Sequence, residues 1–139
     1  MFELHCKLAE DCFQIGDFSL CRLLMMNNHH LPWFILVPRV ENITEIYQLS
    51  GADQAQLTIE SSVLSKTLVS VFEADKMNIA ALGNVVPQLH IHHVVRYQSD
   101  PVWPDPVWGK LTAAPYNDDE QLKIVSKLVP ALPIEFLPT

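Results

Sequence analysis

Three of the six histidines in this 139-residue chain, His90, His92 and His93, fall within four consecutive positions. The run Gln88-Leu89-His90-Ile91-His92-His93-Val94-Val95-Arg96 alternates between polar and apolar side chains over most of its length. In an extended strand, alternate residues share a face. Gln88, His90, His92, Val94 and Arg96 are therefore expected on one side. Leu89, Ile91, His93 and Val95 fall on the other, which is largely apolar and suits a core or a helix. Two imidazoles at i and i+2 are near enough to act on one substrate, and neutral imidazole is both a nucleophile and a base with a pKa near working pH. Arg96 adds a cation of the kind that pairs with phosphate.

Blander readings stand beside this one. A bare His-x-His pair also arises by chance among solvated or hydrogen-bonded histidines. His93 reads as a core-side histidine bonded to backbone. An i, i+2 pair can also bind a metal, but a good site needs a carboxylate or thiolate as third ligand, and Arg96 stands in that region instead. His5, Cys6, Cys12 and Cys21 fit no zinc-ligand spacing. No metal and no cofactor is expected.

The elements that must position the pair are readable around it. Cys12 to Met26 reads as a β-hairpin with its turn at Gly16-Asp17, and Trp33 to Val37, closed by Pro38, as a buried strand. Ser50 can cap a helix from Gly51 to Phe72, with Leu57, Leu64, Leu68 and Phe72 on its apolar side. Met77 to Leu82 reads as a strand, broken by Gly83-Asn84, before the histidine strand begins. Pro101, Pro104, Pro106 and Pro115 with Trp103 and Trp108 make an arm without regular structure. Those tryptophans either cover the site or a partner surface, or only anchor the arm. Asn117 can cap a final helix whose apolar face is Leu122, Val125, Leu128 and Val129, ended by Pro130 and Pro133. The expected architecture is α+β: an antiparallel sheet of about five strands, the long helix packed on one face, and a C-terminal helix. Residues 1–99 form the domain, and the arm and last helix, 100–139, pack on it.

Composition narrows the function. The chain is 49% hydrophobic and 18% charged, enough to build a core, and its formal net charge is -7. A chain this acidic lacks the basic stripe that grips a nucleic-acid backbone, but a few backbone N–H groups can still hold a small phosphorylated ligand. The three cysteines form no C-x-x-C pair, so a reducing compartment is expected. Charge begins at Glu3, and no run reaches the roughly 18 apolar residues of a membrane span. These features describe a soluble, cytoplasmic protein without a membrane partner.

The run from Gly83 to Arg96 resembles the signature of the histidine triad (HIT) superfamily, His-φ-His-φ-His-φ-φ with φ apolar, preceded by a Gly-Gln turn. Trp33-Phe34-Ile35-Leu36-Val37-Pro38-Arg39 is similar to that family's strand ending in Pro-Lys/Arg, and Leu49-Ser50 opens the long helix in the matching place. Asn78 precedes the Gly turn, and the likeness spans about residues 2 to 98. It implies a homodimer that transfers or hydrolyses a nucleotidyl group. His90 would attack the α-phosphorus to form a nucleotidyl-histidine, and His92 would contact phosphate and help the leaving group depart. Gly83 and Asn84 would touch phosphate oxygens, and Asn27 falls near the residue that holds the ribose. Three positions depart from the pattern. Gln88 stands at the first triad position, Val85 where Ser or Thr often follows the turn, and His93 where an apolar residue is usual. If Gln88 removes turnover, the alternative is a non-catalytic nucleotide-binding protein; a small metal-binding protein is a third reading.

Overall fold

The computed structural model describes residues 1–139. A short helix α1 (Cys6–Asp11) leads into β1 (Cys12–Asp17), β2 (Cys21–Met26) and β3 (Trp33–Pro38), then the long helix α2 (Gly51–Phe72). β4 (Lys76–Ala80), β5 (Ile91–Arg96), α3 (Asp118–Leu128) and a two-residue strand β6 (Leu137–Pro138) follow. The sheet has six strands in the order β4-β5-β3-β2-β1-β6, and every adjacent pair is antiparallel. This is the α+β arrangement expected, with β6 as a strand beyond the five.

Local sequence accounts for most of these elements. The Ser50 hydroxyl accepts from Asp53 N–H at 3.1 Å, satisfying one of the free donors at the start of α2. Leu57, Leu64, Leu68 and Phe72 are buried along one side of that helix, as their spacing requires. Asn117 caps α3 by accepting from Glu120 N–H at 2.9 Å, and Glu120 reaches back to Asn117 N–H. Leu122 is the exception on α3: it is 60% exposed, so the buried face runs through Leu128 and the partly buried Ile124, Val125 and Val129.

Both sheet faces are covered, so β3 and β5 are buried at every position. On one face Leu23, Met25, Phe34, Leu36, Ile91 and Val95 pack against α2, Leu128 and Leu132. On the other, Leu24, Trp33, Ile35, Val37 and Val94 meet Leu8, Leu31, Val86 and Val107. The arm supplies Val107, so it closes the second face, and the final helix closes the first.

Three sequence expectations are corrected. The hairpin turn lies at residues 18–20, because Gly16 is inside β1 at a register irregularity. A Cβ at Gly16 would lie 2.3 Å from the Leu137 carbonyl oxygen, so only glycine lets β6 approach. The strand after α2 ends at Ala80 rather than Leu82. The histidine strand begins at Ile91 rather than Gln88, since residues 81–90 form an irregular loop with Gly83 at φ +78°.

Candidate functional site

The shortened strand still brings the two histidines together. His92 is the second residue of β5, opposite Ile35 of β3, and His90 stands just before the strand. Their rings meet edge to face with centroids 5.0 Å apart.

Each ring has one nitrogen fixed by the protein. His90 Nδ1 is 2.7 Å from the Gln88 carbonyl oxygen. A carbonyl can only accept, so Nδ1 carries the proton and the lone pair is left on Nε2. His92 Nδ1 lies 3.0 Å from the indole nitrogen of Trp33, which can only donate. The proton of neutral His92 therefore sits on Nε2. Each residue is 6% exposed, and neither Nε2 has a protein partner or is sealed from solvent. The pair thus presents an acceptor and a donor nitrogen side by side. Burial, together with His90 and His93, lowers the pKa of His92 to about 3, so it is neutral at pH 7.

His93 points to the opposite face and is fully buried. Its Nδ1 donates to Ile91 O at 3.0 Å and its Nε2 lies 2.7 Å from the Ser61 hydroxyl of α2. Burial lowers its pKa to about 4. It is the backbone-bonded core histidine expected from its place in the alternation.

The other candidate residues are placed differently. The side chain of Gln88 turns to the N-terminal segment: it accepts from His5 N–H at 2.9 Å and donates to Glu3 O at 2.8 Å. What it gives the histidines is its backbone carbonyl. Gly83 and Asn84 lie in the loop before β5, and Gly83 borders a cavity of about 30 Å³ that also touches Thr44, Glu45 and His90. Arg96 does not join the pair. Its side chain is 1% exposed and is clamped by Asp100 at 2.8 and 3.1 Å and by Asn78 at 2.7 Å, with the Trp103 ring 5.5 Å away. Asn27 lies on a larger cleft of about 510 Å³ with Asn28, Trp33, Val107 and Trp108. Its side-chain oxygen accepts from Tyr116 N–H at 2.8 Å, which ties the arm to the end of β2.

Two tryptophans complete the surroundings. Trp33 lies one step diagonally across the sheet from His92, within reach of an aromatic side chain. Trp108 lies with its ring 5.4 Å from His92 and 6.0 Å from Trp33. In sequence, Trp108 fits either a cover for the site or an anchor for the arm, and Trp33 reads only as a strand residue. The usable signal for Trp33 was its donor-only indole on the strand expected to pair with the histidines. No group of three His, Cys, Asp or Glu side chains is gathered closely enough to hold a metal ion, and the pair has no third ligand beside it.

A family profile for the HIT domain matches residues 7–99. The whole chain is similar to a solved histidine triad protein from Marinobacter aquaeolei VT8, with 53% identity, a TM-score of 0.93, and coverage of 95% of this chain and 96% of that one. It is also similar to histidine triad proteins from Bradyrhizobium japonicum (40% identity, TM-score 0.92, 94% and 98% covered) and Sinorhizobium meliloti 1021 (39%, 0.92, 95% and 98%). No functionally curated protein matches it.

Proposed function

The chain belongs to the HIT domain family, and from that premise we propose that it is a nucleotide-binding hydrolase or transferase whose nucleophile is His90. His90 Nε2 attacks the α-phosphorus of a nucleotide conjugate, a nucleotidyl-histidine forms, and water or another acceptor releases the nucleotide. The observation that carries this reading is the bond from His90 Nδ1 to Gln88 O. It leaves the Nε2 lone pair free on a ring tied to the main chain two residues earlier, and such positioning is most of what phosphoryl-type transfer asks of a protein. His92 supports the step by offering its Nε2–H to a phosphate or bridging oxygen.

On this reading Gln88 occupies the first position of the triad and contributes through its carbonyl. Gly83 and Asn84 sit beside the transferred phosphate, and Asn27, whose Nδ2 has no protein partner, lies on the cleft that takes the nucleoside. Arg96 holds the arm in place. The protein works in the cytoplasm as a homodimer on a small nucleotide ligand, without nucleic acid, membrane or cofactor. The dimer is supported by β4, an open sheet edge that leaves Ile79 50% exposed.

The test is turnover of adenosine nucleotide conjugates by the purified protein and by His90→Ala, with acid quenching and mass spectrometry to find a nucleotide on the His90 peptide. Turnover lost in His90→Ala supports the reading, and full activity in that variant refutes it. The second reading, nucleotide binding without turnover, is favoured by the departure of the Gln88 amide from the site. Binding of AMP by wild type with no product from any conjugate selects it.

A further inference from the structure

The hydrogen bonds that orient the histidine pair also fix where protons can sit, and so which bonds the site can break. We propose that the site acts on nucleotide conjugates whose leaving group departs as a stable anion, such as phosphate or a second nucleotide, and discriminates against conjugates whose leaving atom is an amine nitrogen. This rests on His90 being the nucleophile, as argued above.

An amine cannot leave as an amide anion. A proton has to reach its nitrogen as the P–N bond breaks, so the protein needs a side chain with a proton to give. His92 is the nearest, but it holds a single ring proton. Its Nδ1 is filled by the Trp33 N–H at 3.0 Å, so a second proton cannot be carried there while that bond lasts. Surrendering the one on Nε2 would leave an imidazolate. The proton on His90 Nδ1 is bound to Gln88 O, on the opposite side of the ring from the attacking Nε2. The Gln88 amide does not titrate and is engaged with Glu3 and His5. Glu45, beside His90 on the small cavity, is an acceptor when ionised. Lys7, on the larger cleft, is paired with Asp11 at 2.9 Å. The site therefore offers one free hydrogen-bond donor beside the nucleophile, His92 Nε2–H, and lacks a proton donor. The lowered pKa of His92 agrees with the same geometry.

With an acidic leaving group the balance closes without such a donor. His90 Nε2 gives its lone pair to the α-phosphorus as the bond to the leaving atom breaks, and the electron pair stays on that atom. His92 Nε2–H donates a hydrogen bond to the departing anion. Water then attacks the same phosphorus, the P–N bond to His90 breaks, the pair returns to Nε2, and the surplus proton of the water goes to solvent.

The experiment compares two probes of nearly equal size on the same wild-type preparation: adenosine 5′-phosphofluoridate and adenosine 5′-phosphoramidate, with ADP as a phosphate-leaving control. The expected result is a kcat/KM for the fluoridate at least ~10²-fold above that for the amidate, the lower end of what a positioned general acid supplies. Because both probes report on one protein, the ratio is independent of the folded fraction. Trp33→Phe, which frees His92 Nδ1, should narrow the ratio whatever it does to stability. Equal turnover of the two probes, or faster turnover of the amidate, overturns the inference while leaving His90 as the nucleophile. No turnover of any probe overturns both.

Discussion

Replacing Asp100 by alanine tests the account of Arg96 directly. Arg96 and Asp100 each have side chains 1% exposed, and they meet through two nearly parallel bonds, Nε to Oδ2 at 2.8 Å and Nη2 to Oδ1 at 3.1 Å. Asp100 also accepts from Tyr97 N–H and Val102 N–H, so it holds the first turn of the arm as well as the guanidinium. Asp100→Ala strands a buried cation, which costs about 3–5 kcal/mol when one partner of such a pair is removed. For a domain of this size that corresponds to a melting point lower by roughly 10–20 °C. Urea and thermal unfolding measure it. The double variant Arg96→Met with Asp100→Leu should recover the part of the loss that comes from the stranded cation, leaving the cost of the Tyr97 and Val102 N–H groups that lose their acceptor. Acid adds a second reading. Burial alone pushes the Asp100 carboxyl up, but its bonds from Arg96, Tyr97 and Val102 outweigh that and leave its pKa below the usual value. Its contribution is thus present above the unfolded-state pKa and lost as pH falls through the lower folded value, a step that Asp100→Ala should lack. A cost under about 1 kcal/mol, the size of a surface pair, would refute the reasoning.

Other outcomes follow from the same kind of bookkeeping. The buried Glu60 carboxylate accepts from Leu20 N–H at 2.9 Å and Cys21 N–H at 2.8 Å, so Glu60→Ala leaves two donors unpaired and should cost about 2–5 kcal/mol in urea unfolding. His92 and His93, with pKa values lowered to about 3 and about 4, should show no imidazole titration by NMR between pH 5 and 8. Both bind a proton more readily when unfolded, so the stability they contribute is complete above the ordinary histidine pKa and declines as pH falls toward those values. Gly16→Ala drives a methyl into the Leu137 carbonyl and should detach β6, seen as fast exchange of the Thr139 amide now bonded to Ile15 O at 2.9 Å.

How much of this was legible depends on the range of the forces involved. Ser50 and Asn117 marked their helices because a capping side chain bonds a backbone group three residues away. Trp33 to Val37 read as a buried strand because prolines bound it. The turn at 18–20 did not, because Gly16 answers to β6, some 120 residues later. The histidines were legible by type and spacing, but the tautomers were not: one depends on Trp33, the other on a carbonyl whose direction is set by the loop before β5. The charge of Arg96 alone points to phosphate, although Asp100 at i+4 offers a nearer partner.

If His90 is the nucleophile, as proposed, a titratable side chain at position 88 is dispensable for orienting it. The bond that sets the His90 tautomer comes from the main chain, which every residue type provides. The side chain is then free for another task, and an amide suits it: one end accepts from His5 N–H while the other donates to Glu3 O. Gln88→Ala is therefore expected to loosen residues 1–5 and cost about 1–2 kcal/mol, the net worth of two partly exposed hydrogen bonds. The kcat per folded molecule should hold. Amide exchange at His5 measures the first effect and active-site titration the second. A fall in kcat with His5 still protected would mean that the amide itself reaches the reacting phosphate, and the carbonyl account of His90 would have to be abandoned.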